Sequence, residues 1–503
     1  MGIAIDREDF QEDEYVRFGE RLEQCLEGLA VLLERPGFGV GPRTVGAELE
    51  LFLVDDQSRP LPENQSVLDG AGDGRVTLEV GKFNLELNPD PTTLAGRPFS
   101  VLEGEMEEVM AIVAKAARAR GGRVAMVGIL PTLREPDLRR NAITDSPRYR
   151  AISNGLLRLR QEPFRVRIQG RAAKPLELVR DHTAVEGACT SFQVHLRIDP
   201  ERFTDAYNAA QLATAPALAC AVNSPFLLGQ DLWDETRVAL FEQSTDDRGQ
   251  EAKDRLVPRV AVGTGWASGS PLGLFEEVVK LHGPVLPLLG DDADPAGVAR
   301  AGGLPALDEL RLHNGTVWRW NRAIYDDGYG GHLRVELRAL PAGPTVVDML
   351  ANAAFLLGCT LALAPGMAAW ARAMPFARAH ENFFRAAREG LGAELNWLHG
   401  PEREAVTLGA GELCLRLLPD AAGALERAGV DRDEVARLLG VIEARVSTGQ
   451  TGAAWQRRTV AELEPTIGTE QALGRMLERY LELSSTGEPV HTWPTGKQAA
   501  AGG

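Results

Sequence analysis

Four short stretches of the sequence alternate apolar side chains with charged or amide ones, and all four carry groups that can bind cations or phosphate. In the stretch 333–338, Arg334, Glu336 and Arg338 alternate with apolar residues. Side chains on a strand alternate between its two faces, so the three charged groups are predicted to project together. Taken alone, this pattern is also typical of a solvated sheet face.

Three other stretches, far apart in the sequence, repeat this design with complementary chemistry. In one of them two carboxylates share a face, where like charges repel unless a counter-ion is present. The other two present amides, a carboxylate and an imidazole. The polar residues are Glu48 and Glu50 in the first stretch, Asn84 and Glu86 in the second, and Gln193 and His195 in the third.

If these four strands lie in one antiparallel sheet with their polar faces aligned, the groups form a metal and phosphate site. Carboxylates with one neutral imidazole suit Mg²⁺ or Mn²⁺, and guanidinium groups suit phosphate oxygens. A bound cation would also relieve the repulsion among crowded carboxylates. Glu79 is a further carboxylate candidate. The predicted metal ligands are Glu48, Glu50, Glu86, His195 and Glu336, with Arg338 on phosphate.

A segment rich in aromatic and basic residues, 313–322, precedes the last of these strands. Its aromatic side chains, including Trp318, could sandwich a nucleotide base while its arginines bind phosphate. A structural tryptophan cluster accounts for the composition equally well. The segment therefore suggests a nucleotide site without establishing one.

Composition excludes some functions. The formal net charge of −17 argues against nucleic acid as the main partner, because phosphate backbones are bound by basic surfaces. Five widely spaced cysteines with no CxxC pair indicate reduced thiols, and the first ten residues lack a secretory signal, so a cytoplasmic protein is predicted. The apolar stretch 349–369 contains Asn352 and Pro365 and is interpreted as a buried core helix, not a membrane span.

The sequence predicts an α+β protein with an antiparallel catalytic sheet flanked by helices. Residues 1–39 are predicted as an N-terminal helical segment and residues 40–375 as the catalytic domain. Residues 376–503 are predicted as a helical C-terminal region, with 367–397 and 422–483 helical in pattern. The C-terminal region shows no metal-ligand or nucleophile pattern.

The order of these motifs resembles the glutamine synthetase-like fold, also found in guanido kinases. Within that fold, the likeness is to the bacterial glutamate-cysteine ligase family and its carboxylate-amine ligase relatives. It covers roughly residues 40–375. The matching pieces are GAELELFLVD, KFNLELNP, SFQVHLRI, an NSPF turn followed by Arg237, and LRVELRALPAGPTVVDM, which contains Asp348.

This resemblance implies an ATP- and Mg²⁺-dependent ligase that converts a carboxylate, expected to be the γ-carboxylate of glutamate, into an acyl phosphate. An amine, cysteine by family name alone, would then displace phosphate to form an amide. The implied roles are metal binding for Glu48, Glu50, Glu86, His195 and Glu336, catalysis by Arg338 with Arg319 or Arg322, nucleotide binding by Gln193, Arg334 and Trp318, and substrate binding by Arg237 and Asn84.

One departure concerns Gln193, because relatives often carry a second histidine at the position that Gln193 occupies here. Two alternatives stay open at this point. One is a kinase on the same fold, and the other is a non-catalytic regulatory member. Small-molecule substrates are the expected partners, and homo-oligomer formation is left open.

Overall fold

The computed structural model of the protein describes residues 5–253, 255–290, 294–399 and 404–495. These residues form the predicted α+β architecture, with one antiparallel sheet flanked by helices. The strands of the sheet are β1 (Thr44–Val54), β2 (Val76–Leu78), β3 (Asn84–Leu87), β4 (Thr92–Thr93), β5 (Arg123–Ala125), β6 (Phe192–Arg197), β7 (Asn321–Asp326) and β8 (His332–Leu337).

Helices flank the sheet. In chain order they are α1 (Glu12–Glu34), α2 (Asn64–Ala71), α3 (Pro98–Arg118), α4 (Pro147–Arg160), α5 (Pro200–Ala221), α6 (Thr236–Ser244), α7 (Leu272–Leu281), α8 (Pro295–Arg300), α9 (Asp308–Gly315), α10 (Val346–Leu363), α11 (Met367–Ala373), α12 (Phe376–Glu389), α13 (Ala410–Arg427), α14 (Arg432–Thr448), α15 (Gly452–Ile467) and α16 (Thr469–Ser484).

The strand order of the sheet is β7-β8-β6-β1-β3-β2, and β4 and β5 also pair with β1. The four polar stretches of the sequence therefore lie on four neighbouring strands. Their register aligns the polar faces, as predicted, because polar residues of neighbouring strands lie directly opposite one another. The opposed pairs are Glu336 with His195, Glu48 with Gln193, and Glu50 with Glu86.

The opposite face of the sheet is apolar and packs against α5 and α10. Leu49 and Leu51 of β1 and Val194 and Leu196 of β6 are almost completely buried there. Each such side chain contributes about 1.5–3 kcal/mol on burial. Helix α5 is alanine-rich and buried along most of its length, so it can approach both the sheet and α10 closely. This core holds the strands rigidly under the polar face.

Helix α10 contains most of the apolar stretch that was interpreted as a core helix. Among the described residues, one helical stretch, 346–373, is long and apolar enough to cross a membrane, and 83% of its most apolar window is buried inside the protein. It packs against α5, α13 and α14. The helix is therefore part of the protein core.

The C-terminal region differs from the all-helical pattern predicted for 367–397. Helix α12 ends at Glu389, and Glu394–His399 forms a strand that pairs with Glu404–Gly409. The helix stops because Gly390 takes a positive φ of 52° and Gly392 follows. Two further hairpins, Phe164–Ile168 with Leu176–Arg180 and Phe226–Leu227 with Gln230–Asp231, lie outside the main sheet.

The C-terminal helices pack directly onto the part of the chain that forms the sheet and α10. Helices α13 and α14 contact α10, and their buried residues belong to the same hydrophobic core as the sheet. On α16, the Tyr480 hydroxyl donates to the Met126 carbonyl and accepts from the Asn223 amide, both at 2.8 Å. The three-part division of the chain stays a prediction.

Candidate active site

The polar face of the sheet carries two groups of candidate cation ligands. In each group, one ligand atom from every residue lies within 4.8 Å of the others. We call Glu48, His195 and Glu336 the histidine cluster, and Glu50, Glu79 and Glu86 the carboxylate cluster. The sequence predicted the first group and two members of the second as one set of ligands, and the third member, Glu79, as a further candidate.

The histidine cluster lies where β1, β6 and β8 run side by side. His195 Nε2 is 3.0 Å from Glu48 Oε1 and 3.9 Å from Glu336 Oε1. Arg322, on β7, grips Glu336 with two hydrogen bonds of 2.7 and 2.9 Å. One oxygen of each carboxylate therefore lies within 3.9 Å of His195 Nε2.

Electrostatics favour the ionised form of both carboxylates in the histidine cluster. Burial acts to raise the pKa of Glu336, but Arg322, Arg338 and His195 outweigh it and hold the pKa well below its usual range. Burial also acts to raise the pKa of Glu48. The neighbouring His195 outweighs burial, so the pKa of Glu48 is lowered. This cluster is charged at neutral pH without any bound ion.

The carboxylate cluster has the opposite electrostatics. Glu50 and Glu86 lie directly opposite each other on β1 and β3, and Glu79 follows the end of β2. Burial, reinforced by the neighbouring carboxylates, raises the pKa values of Glu79 and Glu86 well above the ordinary value. The pKa of Glu50 is also raised by burial, although Arg338 opposes the shift. A divalent cation here would neutralise a repulsion that the protein itself leaves in place.

Arg338 lies between the two clusters. Its Nη1 donates to Gln193 Oε1 and, at 3.2 Å, to Glu336 Oε2. Gln193 Nε2 in turn donates to Glu50 Oε1 at 2.9 Å. Burial lowers the Arg338 pKa, but Glu336, Glu50 and Glu48 raise it above its ordinary value. Among described atoms, Arg338 Nε is buried without a hydrogen-bond partner, so one donor of this guanidinium is left unsatisfied.

The donor set fits hard divalent cations. Carboxylate oxygens with one imidazole nitrogen are ligands that Mg²⁺ and Mn²⁺ accept. Within the described residues, His195 Nε2 is buried and forms no aligned hydrogen bond, despite lying close to Glu48. A cation held among these atoms would satisfy both the nitrogen and the converging carboxylates.

A cleft lined with arginine opens beside the histidine cluster, between the sheet, α4 and α9. Its accessible volume is about 170 Å³. We call it the arginine cleft. Its basic side chains are Arg148, Arg311, Arg322 and Arg334, and its other lining residues include Phe275, Leu310, Leu312, Ile324, Asp308 and Asp326.

Comparison with known proteins identifies the family. The sequence profile of glutamate-cysteine ligase family 2 (GCS2) matches residues 44–479, which is most of the chain. The chain belongs to glutamate-cysteine ligase family 2. The match includes all four polar stretches and extends through most of the C-terminal helices. No curated protein matches the sequence significantly.

Solved structures agree on the fold of this family member. The glutamate-cysteine ligase of Francisella tularensis in complex with AMP is 13% identical, has a TM-score of 0.54, and is matched over 91% of each chain. A bifunctional glutathione synthetase from Pasteurella multocida is 10% identical with a TM-score of 0.48, over 94% of this chain and 55% of that one. The first of these confirms the glutamate-cysteine ligase fold that the sequence predicted.

Two residues predicted for catalysis and nucleotide binding lie elsewhere in this GCS2 chain. Arg319 was offered as an alternative to Arg322, but its side chain points to the helical side of the sheet and pairs with Glu277 on α7 at 2.8 Å. Arg319 lies two positions before the start of β7, outside the strand that carries Arg322. Trp318 packs on Phe241 with ring centroids 6.0 Å apart, and it is not among the described residues that line the arginine cleft.

The predicted substrate-binding residues are both buried. Arg237 is 2% exposed and donates to Glu235 at 3.0 Å and to the Ala339 carbonyl, next to Arg338. These contacts favour a role in supporting the segment that carries Arg338. Asn84 is 2% exposed, and its amide atoms have no hydrogen-bond partner among the described atoms. The structure therefore shows neither side chain open to a substrate.

Sequence reasoning missed two charged groups at this site. Glu186 lies in a short 3₁₀ turn, and burial followed by the charge of Glu50 raises its pKa to about 8. Arg148, on α4, lines the arginine cleft and acts electrostatically on Glu79. Neither residue lies on a strand. The alternation of apolar and polar side chains that identified the other candidates therefore could not identify Glu186. Arg148 lies on a helix, where the strand alternation used for the other candidates does not apply.

Proposed function

We propose that this protein is an ATP-dependent carboxylate-amine ligase that activates the γ-carboxylate of glutamate and joins it to an amine, with cysteine as the expected amine. The products would be an amide, ADP and phosphate. Family membership supports the reaction class. The observation that carries the proposal is the pairing of two oxygen-rich clusters with Arg338 between them, on one sheet face beside the arginine cleft.

The two clusters are the proposed holders of Mg²⁺, with Mn²⁺ as the alternative ion. When bound, the cations would neutralise charge on the phosphate oxygens. The chain's own contribution is a fixed set of oxygens: Glu48 and Glu336 are kept ionised by neighbouring cationic and imidazole groups. The histidine cluster therefore offers anionic ligands at neutral pH without first losing a proton.

Arg338 is the proposed catalytic arginine. It is held between Gln193 and Glu336, and its Nε has no described partner. During transfer, the substrate carboxylate oxygen would attack the γ-phosphorus as the bond to ADP breaks. Charge then develops on the transferred oxygens, where a fixed guanidinium stabilises it. Lysine could not reproduce the two-pronged contact of this group.

The arginine cleft is the proposed nucleotide site. Its four arginines suit phosphate, and Phe275 with neighbouring aliphatic side chains offers an apolar surface. In the second half of the reaction, the amine nitrogen would attack the acyl carbon, phosphate would leave with its bonding electrons, and the amine would lose a proton. The protein would thus act on small molecules, with a cytoplasmic location expected from its cysteines, all five of which lie in the described residues as free thiols.

The test is turnover with product identification. Purified protein is given ATP, Mg²⁺ and glutamate with individual amines, and ADP, phosphate and organic products are measured. The proposal predicts ADP, phosphate and a γ-glutamyl amide in equal amounts, with cysteine the best amine. ADP with a phosphorylated acceptor and no free phosphate would instead establish a kinase. Glu48→Gln should abolish turnover, whereas Glu177→Gln, on an exposed hairpin away from the site, should not.

A further inference from the structure

His195 is held in a specific tautomer by Arg334. The Arg334 Nε–H donates to His195 Nδ1 at 3.1 Å. A guanidinium group can only donate hydrogen bonds, so Nδ1 must supply its lone pair. In a neutral imidazole the other nitrogen then carries the proton. The Nε2–H of His195 therefore faces Glu48 and Glu336, at 3.0 and 3.9 Å.

This tautomer is the wrong one for binding a cation in the histidine cluster. A ligating nitrogen needs a free lone pair, and a metal-bound histidine donates its other N–H to an acceptor. Here the outer nitrogen faces a donor and the inner nitrogen carries the proton. The hydrogen bond from Arg334 and ligation of a cation by His195 Nε2 consequently exclude each other.

Arg334 also forms an ion pair that lies in the arginine cleft. Its Nη1 pairs with Asp326 Oδ2 at 2.5 Å, and both side chains are about a quarter exposed, at 26% and 27%. Both also line the arginine cleft. An anion that enters the cleft can therefore reach Arg334 without disturbing the core of the sheet.

Arg322, the other sheet arginine of the cleft, is not placed to respond in this way. Its Nε and Nη2 grip Glu336, and its Nη1 donates to the Asn314 carbonyl at 3.0 Å. Moving it would leave a buried carboxylate without its partner, which is costly. Arg334 contacts the imidazole through one hydrogen bond, and its carboxylate partner Asp326 is partly exposed to water, so moving Arg334 leaves no buried carboxylate unpaired.

We propose that Arg334 couples the arginine cleft to the histidine cluster, so that an oligophosphate in the cleft makes His195 competent to bind a divalent cation. The anion withdraws Arg334 from Nδ1. The proton then leaves Nε2 to water and another is taken up at Nδ1, so the ring stays neutral. The Nε2 lone pair becomes free to ligate. This inference rests on the proposed function in one respect, namely that the physiological anion is a nucleotide.

The carboxylate cluster should behave differently, because its three members carry no ring tautomer to reset. It is expected to take up a cation with or without the anion. The histidine cluster is expected to bind a cation tightly only when the cleft is filled. The order of assembly would then be cation at the carboxylate cluster, oligophosphate in the cleft, and cation at the histidine cluster.

The direct test is ¹⁵N NMR of histidine-labelled protein in EDTA, with the His195 signals identified by their loss in His195→Gln. The proposal predicts protonated Nε2 and bare Nδ1 in the free protein, and protonated Nδ1 after addition of inorganic tripolyphosphate. In Arg334→Met the preference for protonated Nε2 should disappear. Protonated Nδ1 in the free wild-type protein, or no change on adding tripolyphosphate, would overturn the proposal.

A second measurement separates the hydrogen bond from simple charge removal. Mn²⁺ binding without anion is followed by electron paramagnetic resonance in Arg334→Met and Arg311→Met. Arg311 lines the same cleft and pairs with Asp327 at 2.8 Å. Arg334→Met should tighten the weaker Mn²⁺ site by about tenfold, a usual size for changes next to a metal ligand. An equal effect of Arg311→Met would overturn the proposal.

The two proposals can fail separately. If tripolyphosphate switches the His195 tautomer but no amide forms with any amine, the coupling stands and the ligase assignment fails. If amides form while the tautomer of His195 is indifferent to Arg334, the ligase assignment stands and the coupling fails.

Discussion

The histidine cluster and the carboxylate cluster lie on the same sheet face, yet they are built on opposite electrostatic principles. In the first, Arg322, Arg338 and His195 hold the pKa of Glu336 well below its ordinary range. In the second, burial and mutual repulsion raise the pKa values of Glu79 and Glu86. The carboxylates of the histidine cluster already have charged partners within the protein. Those of the carboxylate cluster repel one another until a cation binds.

This difference predicts opposite contributions to stability. Ion pairs with lowered carboxyl pKa values stabilise the folded state at neutral pH. Carboxyls with raised pKa values do the reverse, because they favour the folded state only while protonated. The following experiments change one cluster at a time and ask whether the two respond in opposite directions.

The largest effect is expected from Glu336→Gln. Arg322 and Arg338 would both lose the carboxylate that neutralises them, and the Glu336 side chain is only 3% exposed. Breaking a buried pair in this way costs about 3–5 kcal/mol. Chemical denaturation should show this loss of stability, and turnover should fall below detection. Wild-type stability in this variant would contradict the account of the histidine cluster.

Arg338→Lys should abolish most activity while Arg319→Lys should not. Arg338 lies between the clusters, and removal of a fixed donor to developing charge costs about 10²- to 10³-fold in rate. Arg319 lies on the opposite face, where lysine can keep the pair with Glu277. The ratio of the kcat values of the two variants measures how much more the activity depends on Arg338 than on Arg319. Equal losses would place Arg319 back among the catalytic residues.

The smallest effect, and the one of opposite sign, is expected from Glu86→Gln. Glu86 lies opposite Glu50, and removing one like charge from such a pair should stabilise the cation-free protein by about 1 kcal/mol. Thermal unfolding in EDTA at pH 8 measures this gain.

The pH dependence of the stability gained by Glu86→Gln shows whether relief of charge repulsion causes the gain. Because the pKa of Glu86 is raised, its favourable contribution is fully present below the ordinary pKa and is lost as pH rises through the raised one. The advantage of the glutamine variant should therefore vanish near pH 4, and Mg²⁺ should reverse it at pH 8. A gain that is independent of both pH and Mg²⁺ would indicate better packing and not relieved repulsion.

Much of the site could be predicted from the sequence because strand alternation is a local property. The alternation around Glu48, Glu86, His195 and Glu336 identified four strands and the polar face of each. Arg319 lies just before β7, where strand alternation does not apply, so this pattern could not decide between Arg319 and Arg322.

Other features depend on contacts that no local pattern encodes. The division of the ligands into two clusters follows from the register between β1, β3 and β6, which pairs Glu50 with Glu86 and Glu48 with Gln193, 36 and 145 positions apart. Glu186 reaches the site from an irregular turn. The strand Glu394–His399 was hidden because its flanking residues suit a helix equally well, and the glycines that end α12 were the local signal against that reading.

The central claim, that this sheet face binds two divalent cations, is tested most directly by crystals grown with Mn²⁺ and a non-hydrolysable ATP analogue. Anomalous scattering locates Mn²⁺ without reference to the protein. The account predicts one peak within about 2.4 Å of oxygens of the carboxylate cluster, and a second peak beside His195 Nε2. Bound analogue with no Mn²⁺ at either cluster would contradict it.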